Sequence, residues 1–267
     1  MSEWLVLAIV MAAACAVVLT VVLLSQRRRA ADPAGDGDDD SEREAREVEI
    51  PDVLEYMTMM VGVVYAIVLG LAIAGVWEAR SAAQDDVRRE AQALHEVTQR
   101  AEVYPPAVRE RLRQDIDTYV SHVVEKEWPR MVDGRELPER GTRLIQELRK
   151  DFSRRAPANE LEAHAYQPVL DQLAVVDDAR NARAESAGST LPAVVWFGLF
   201  IGALVTVGLI FTMRMGRSFR ELLLAGLFSA LIAFLLFLVW DFDAPFGRSG
   251  SDSADAFRRL FPGAAGP

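Results

Sequence analysis

A chain of 267 residues with a net charge of −10 would ordinarily be read as one soluble domain, but the 51% of hydrophobic residues are gathered into blocks apart from the 25% that are charged. There is no basic face or aromatic platform of the kind that binds nucleic acid. A lone cysteine, Cys15, inside an apolar run excludes disulfides and cysteine-based metal sites within one chain.

Leu5 to Leu24, Tyr56 to Trp77, Pro192 to Met213 and Leu222 to Trp240 carry no charged residue. Roughly 20 apolar residues in a helix cross the hydrocarbon core, so four transmembrane helices are expected. A buried globular helix rarely stays apolar on all faces over such a length. The expected class is therefore an all-α integral membrane protein, with a large helical insert between its second and third spans that extends the membrane helices into the aqueous phase.

Residues 1–26 form the first predicted span. The A-A-A-C sequence at 12–15 has the small residues of a lipoprotein processing site. The start M-S-E-W lacks a basic n-region, however, and Arg27–Arg29 follow the apolar run, so an uncleaved helix with its N-terminus outside fits better. Residues 27–54 are a solvated, flexible linker: residues 27 to 55 hold eleven acids against five arginines, too little apolar surface to fold alone.

The second span, 55–77, carries Gly62, Ala66, Gly70 and Ala74 every four residues, a small-residue face that lets helix backbones approach closely. Opposite it run Val61, Val64, Val68, Leu71 and Gly75. If subunits ring an axis, one face packs on neighbours and the other meets lipid or a pore. An apolar pore lining is physically acceptable, because hydrophobic constrictions gate by dewetting.

Residues 78–191 read as helical almost throughout. Val87, Ala91, Leu94, Thr98 and Ala101 step by 4, 3, 4, 3, the seam of a helix packed on a partner. That helix continues the second span without a breaker and ends at Pro105-Pro106. Val108, Leu112, Ile116, Tyr119, Val120 and Val123 form a second stripe closing at Trp128-Pro129. Asp133-Gly134 and Pro138 make a turn. Leu144, Ile145, Leu148 and Phe152 mark a third helix, and Leu161 through Arg183 a fourth that Pro168 kinks or splits.

The third span, 192–213, repeats the small-residue theme at Gly198, Gly202 and Thr206, and an Arg-rich loop, 214–221, leads to the fourth span, 222–240. Residues 241–267 form a C-terminal segment opening with D-F-D-A-P-F-G. There Trp240 suits the membrane interface, while Pro245 and Gly247 stop the helix.

Little in the chain suggests covalent chemistry. His95, His122 and His164 lie on separate helices, and the acid pairs Asp85-Asp86, Asp115 with Asp117, and Asp177-Asp178 read as solvated faces beside arginines. No phosphate loop, G-x-S-x-G or H-E-x-x-H is present, so neither an enzyme nor a cofactor is expected. Inside the spans the polar groups, Thr58, Thr206, Thr212 and Ser229 among them, include no acid, base or histidine. Coupled transporters need such groups, and their absence leaves a passive pore or a plain anchor.

The order of elements, with Tyr65–Trp77 and Glu78, E-K-E-W-P at 125–129, Asp178–Arg183 leading into L-P-A-V-V-W at 191–196, and Asp241–Gly247, resembles the bacterial bestrophin-like membrane family. The residues that carry the likeness are Trp77, Trp128, Pro129, Arg180, Arg183, Asp243, Pro245, Phe246 and Gly247, within roughly residues 55–250. Bestrophins are pentameric anion channels whose second span lines a hydrophobic neck. The resemblance thus implies a homo-oligomer, a pentamer, in the bacterial plasma membrane, passing small anions past a neck at Val64, Val68 and Leu71. It also implies a cytosolic insert, whereas arginine counting across Arg27–Arg29, Arg214, Arg217 and Arg220 puts the insert outside. In bestrophins the segment after the last helix contributes to a calcium clasp. Asp243, Asp252 and Asp255 stand in that region here, but the dense acidic run is missing and calcium takes six to eight oxygens, so no metal is expected. A different class of function stays open: a non-conducting membrane-anchored scaffold or sensor that binds a partner through residues 78–191. The segment at 241–247 is further expected to hold the C-terminal tail against the insert.

Overall fold

The computed structural model describes residues 50–188, 190–212, 219–246 and 254–264. The first apolar run, the acidic linker before residue 50, Gly247 and Asp252 lie outside the described residues. Among the described residues every regular element is helical.

Helix α1, Ile50–Arg100, has 51 residues without an interior proline. At ~1.5 Å per residue it is about 75 Å long, more than twice the hydrocarbon thickness. As expected, it runs through Trp77 without interruption. It tightens into a 3₁₀ turn at Ala101–Val103 and stops at Tyr104, whose extended backbone (φ −83°, ψ 157°) is what a following proline demands. Pro106 then opens α2, Pro106–His122.

The stripe on α2 does not close at Trp128-Pro129 as its sequence suggested. Val123–Glu127 form a π-turn in which the Trp128 N–H bonds the Val123 carbonyl, five residues back, and α3 (Trp128–Val132) carries the helix on. Pro129 supplies the reason: it has no N–H to donate and its ring crowds the carbonyl four residues earlier, so the chain widens by one residue instead of breaking. The turn that follows needs Gly134, whose φ of 65° lies in the left-handed region.

Helix α4, Glu139–Ser153, leaves from extended Pro138. Helix α5, Glu160–Glu185, is capped by Asn159, whose Oδ1 accepts from Glu162 N–H at 2.8 Å, while Glu162 Oε2 accepts from Ala158 N–H at 3.0 Å. Pro168 lies inside α5 without splitting it. Helices α6 (Ala193–Thr212), α7 (Phe219–Phe242) and the short α8 (Asp255–Leu260) complete the described chain.

The chain divides into two compact units, Met1–Gly75 with Leu191–Trp240, and Val76–Thr190 with Asp241–Pro267. Among the described residues the first is largely apolar. Tyr65 lies over Gly202, where an added Cβ would come within 2.6 Å of its ring, and the Tyr65 hydroxyl donates to the Leu199 carbonyl at 3.1 Å. Thr206 and Ser229 return their hydroxyls to the carbonyls of Gly202 and Ala225, four residues back, so neither leaves an unmatched polar group among apolar neighbours. Two described helices are long and apolar enough to cross a membrane, Tyr56–Val103 and Leu223–Phe242, and Ala193–Leu209 is apolar but shorter.

The second unit buries a continuous core in which the predicted stripes converge. Val87, Ala91 and Leu94 of α1 and Ala101 of the 3₁₀ turn are buried, as are Leu112, Ile116, Tyr119 and Val120 of α2, Val123 of the π-turn, and Ile145, Leu148 and Phe152 of α4. Thr98 and Val108 of the predicted stripes are half-buried. The C-terminal segment joins this core. Phe246 meets Trp128 edge-on with ring centres 5.7 Å apart, Phe257 and Phe261 are buried, and Ser121 Oγ donates to the Ala264 carbonyl at 2.7 Å.

Candidate functional site

The second unit is built around four charged side chains that water does not reach. Glu90 of α1, Glu127 at the end of the π-turn, and Arg180 and Arg183 of α5 are all buried. Arg183 Nε donates to Glu90 Oε2 at 2.7 Å and its Nη2 reaches Glu90 Oε1 at 3.2 Å and Glu127 Oε2 at 2.8 Å. Its Nη1 meets Met131 Sδ at 3.2 Å. Arg180 Nη2 donates to Glu127 Oε1 at 2.8 Å, and its Nη1 to Thr142 Oγ1 at 2.8 Å. Tyr119 donates its hydroxyl to Glu90 Oε1.

Two carboxylates and two guanidiniums leave the cluster with no net charge. Stripping charges of water costs several kcal/mol per ion, which is offset only when geometry is good and the remaining hydrogen-bonding positions are filled. Here the bidentate Arg183 fork supplies that geometry. Burial pulls the Arg183 guanidinium towards losing its proton, but the Glu90 carboxylate, followed by Tyr119 and Glu127, outweighs this and holds it above its ordinary value. Burial, then the Glu90 charge, pushes the Tyr119 hydroxyl well above its usual range, so it stays a donor.

The local fold places each member. The seam phase that buries Val87 and Leu94 also turns Glu90 inward, three residues from one and four from the other. Glu127 follows Val123 by four residues and precedes Met131 by four, on the stripe that α2 and α3 bury. Arg180 and Arg183 continue the buried Val169, Leu173 and Val176 line of α5. Gly141, at the start of α4, closes over the Glu127–Arg180 pair, and an added Cβ there would lie 2.8 Å from Arg180 Nη2 and closer still to Glu127 Oε1. The cluster therefore ties α1, α2, the π-turn, α3, α4 and α5 at one point.

The other residues singled out from the sequence are distributed as follows. Val64, Val68 and Leu71 are 61%, 47% and 68% exposed. Gly62 is half-buried, Ala66, Gly70 and Ala74 are exposed, and a Cβ on Gly62 or Gly70 would meet nothing within 4 Å. Gly198 is likewise open, so of the named glycines Gly202 is the one pressed by a neighbour within the chain. Trp77 is exposed but meets Phe242 edge-on at 5.3 Å. Trp128, Asp243, Pro245 and Phe246 are buried, and Pro129 is exposed. The Asp243 carbonyl accepts from Thr190 N–H at 3.2 Å, and Asp255 pairs with Arg258 at 3.4 Å. Among the described residues no three histidine, cysteine or acidic side chains converge as metal ligands. Glu90 escaped the reading of the sequence, and Glu127 and Tyr119 entered it only within a motif and a stripe.

These features define an all-helical protein with helices of membrane-crossing length, carrying a helical insert locked by a buried arginine–glutamate cluster. Residues 38–256 match the bestrophin-like domain, and the chain belongs to the bestrophin-like family. No curated protein and no solved structure matches it.

Proposed function

We propose that the chain is a four-span protein of the bacterial plasma membrane that assembles as a homo-oligomer, a pentamer by resemblance to bestrophins, around a pore for small anions. Residues 5–24 supply the first of these four spans. Family membership supports this reading, and the division of the first-unit part of α1 into three stripes carries it. Thr58, Tyr65 and Leu69 are buried within the chain, while Gly62, Ala66, Gly70 and Ala74, and Val64, Val68 and Leu71, form two further stripes. At about 100° per residue the three lie roughly a third of a turn apart.

One stripe is thus used among the described residues, and two are left open for other contacts. The small-residue stripe suits a neighbouring copy, whose backbone can approach closely. The Val64–Val68–Leu71 stripe then faces the axis and forms a neck that passes ions when wetted. The Tyr56–Trp77 run carries no carboxylate, histidine, lysine or arginine, so conduction is passive rather than proton-coupled.

Two measurements on purified full-length protein test this. The mass of the detergent-solubilised complex should be that of a ring of copies, and reconstitution into planar bilayers should give chloride or nitrate current. A strict monomer, or a correctly assembled ring that carries no anion current, would overturn the channel reading and favour the membrane-anchored scaffold.

A further inference from the structure

Beside the arginine–glutamate cluster sits a histidine that the cluster does not use. His122 ends α2, and its side chain is only 10% exposed, with Nε2 4.0 Å from Glu127 Oε1. Among the described residues that buried nitrogen has no hydrogen-bond partner. Glu127 Oε1 is the same oxygen that accepts from Arg180 at 2.8 Å. The imidazole also edges a surface pocket of about 360 Å³ with Thr118, Ser121, Glu125, Lys126 and Arg140, which gives protons a short path from solvent.

We propose that His122 is an acid-operated release for the Glu127–Arg180 clamp. When the ring takes a proton it competes with Arg180 for Glu127 Oε1, and the start of α4 loosens from α5. Arg180 is the link, since it also holds Thr142 Oγ1 and the Pro138 carbonyl, at 2.8 and 3.3 Å. With His122 neutral, the cluster's two cations balance its two anions. A third cation leaves three positive groups around one shared carboxylate, and repulsion falls between His122 and Arg180.

The groups that face the ring come from every element packed around it. Glu127, Lys126 and Glu125 lie on the π-turn, Arg140 is on α4 and Arg180 on α5. Ser121 is committed to the Ala264 carbonyl of the C-terminal segment. Burial lowers the His122 pKa; Glu127 opposes this, and Arg140, Arg180 and Lys126 reinforce it. The unfolded chain, with a histidine near 6.5, therefore binds more protons than the folded one just below that pH. Stability contributed by the neutral ring is complete above about pH 6.5 and is lost as pH falls through that value towards the folded pKa.

The test is hydrogen exchange on the full-length protein in detergent, with amide rates corrected for their intrinsic pH dependence. Exchange of the imidazole C2 proton gives the His122 titration in the same samples. Amides at the start of α4 should exchange about tenfold faster at pH 5 than at pH 7.5, with the midpoint of the His122 titration, which lies below the ordinary histidine value of about 6.5. The His122→Gln variant should lose this acid response while keeping α4 protected at neutral pH. Unchanged α4 exchange, a midpoint that differs from that of His122, or the same response in His122→Gln would each overturn the proposal. If His122→Gln does not fold, the comparison of the two midpoints in the wild-type chain still decides. None of these readouts depends on ion conduction.

Discussion

Replacing Arg183 with methionine removes the one residue that touches both carboxylates of the buried cluster. Glu127 keeps Arg180 at 2.8 Å, but Glu90 is left with the Tyr119 hydroxyl and no cation. Both Arg183 and Glu90 are fully buried, so solvent cannot screen the stranded charge. Breaking a buried pair from one side costs about 3–5 kcal/mol, against ~0–1 kcal/mol for a surface pair. For a unit of this size that is a fall of roughly 10–20 °C in Tm. Thermal unfolding of the full chain, followed by proteolysis of the 76–190 region, measures it. The paired variant Arg183→Met with Glu90→Leu removes both charges together and should recover a substantial part of the loss, because no ion is left uncompensated. If Arg183→Met shifts the midpoint by only a few degrees, or the double variant is as unstable as the sum of the two singles, the cluster is not the lock described here.

Gly141→Ala places a methyl against Glu127 and Arg180, which are fixed by their own partners, and should cost about 1–3 kcal/mol in the same assay, a larger effect than the slight gain expected from Gly to Ala on an open helix face. Gly202→Ala should lower the thermal stability of the detergent-solubilised protein by a similar ~1–3 kcal/mol, because the Tyr65 ring it would strike is held by the Leu199 carbonyl. In a monomeric preparation Gly70→Ala should cost nothing, since its Cβ meets no atom of the described residues within 4 Å, whereas in the assembled ring it should weaken association.

Much of the insert was legible because its buried stripes follow helical phase. The α1 seam, the α2 and α4 stripes and the stop at Pro105-Pro106 all read directly from apolar spacing and proline. Arg180 and Arg183 stood out through the family resemblance, but their partners did not, because the pairings join residues 53 to 93 positions apart. A usable signal was nevertheless present. Glu90 and Glu127 are acids at positions where the surrounding helical phase calls for an apolar residue, and Arg180 and Arg183 are bases in the same situation on another helix. Charges of opposite sign in core register on different helices have few places to go except to one another. The π-turn was hidden because Pro129 reads as a helix end, and only tertiary packing of Trp128 and Met131 makes continuing cheaper than stopping. The faces of the membrane-length part of α1 are visible in the sequence, yet the described residues cover one of them and leave the other two open.

The most direct test of the account concerns Val68. In a background lacking Cys15, the Val68→Cys variant should be reached in the open pore by a small charged thiol reagent applied in planar bilayers, and the anion current should fall or change its selectivity within one application. Val68→Ser, which makes the neck easier to wet, should raise the leak current. A current that is unaltered by modification at Val68 would place the residue against lipid and contradict the assignment of this stripe to the pore.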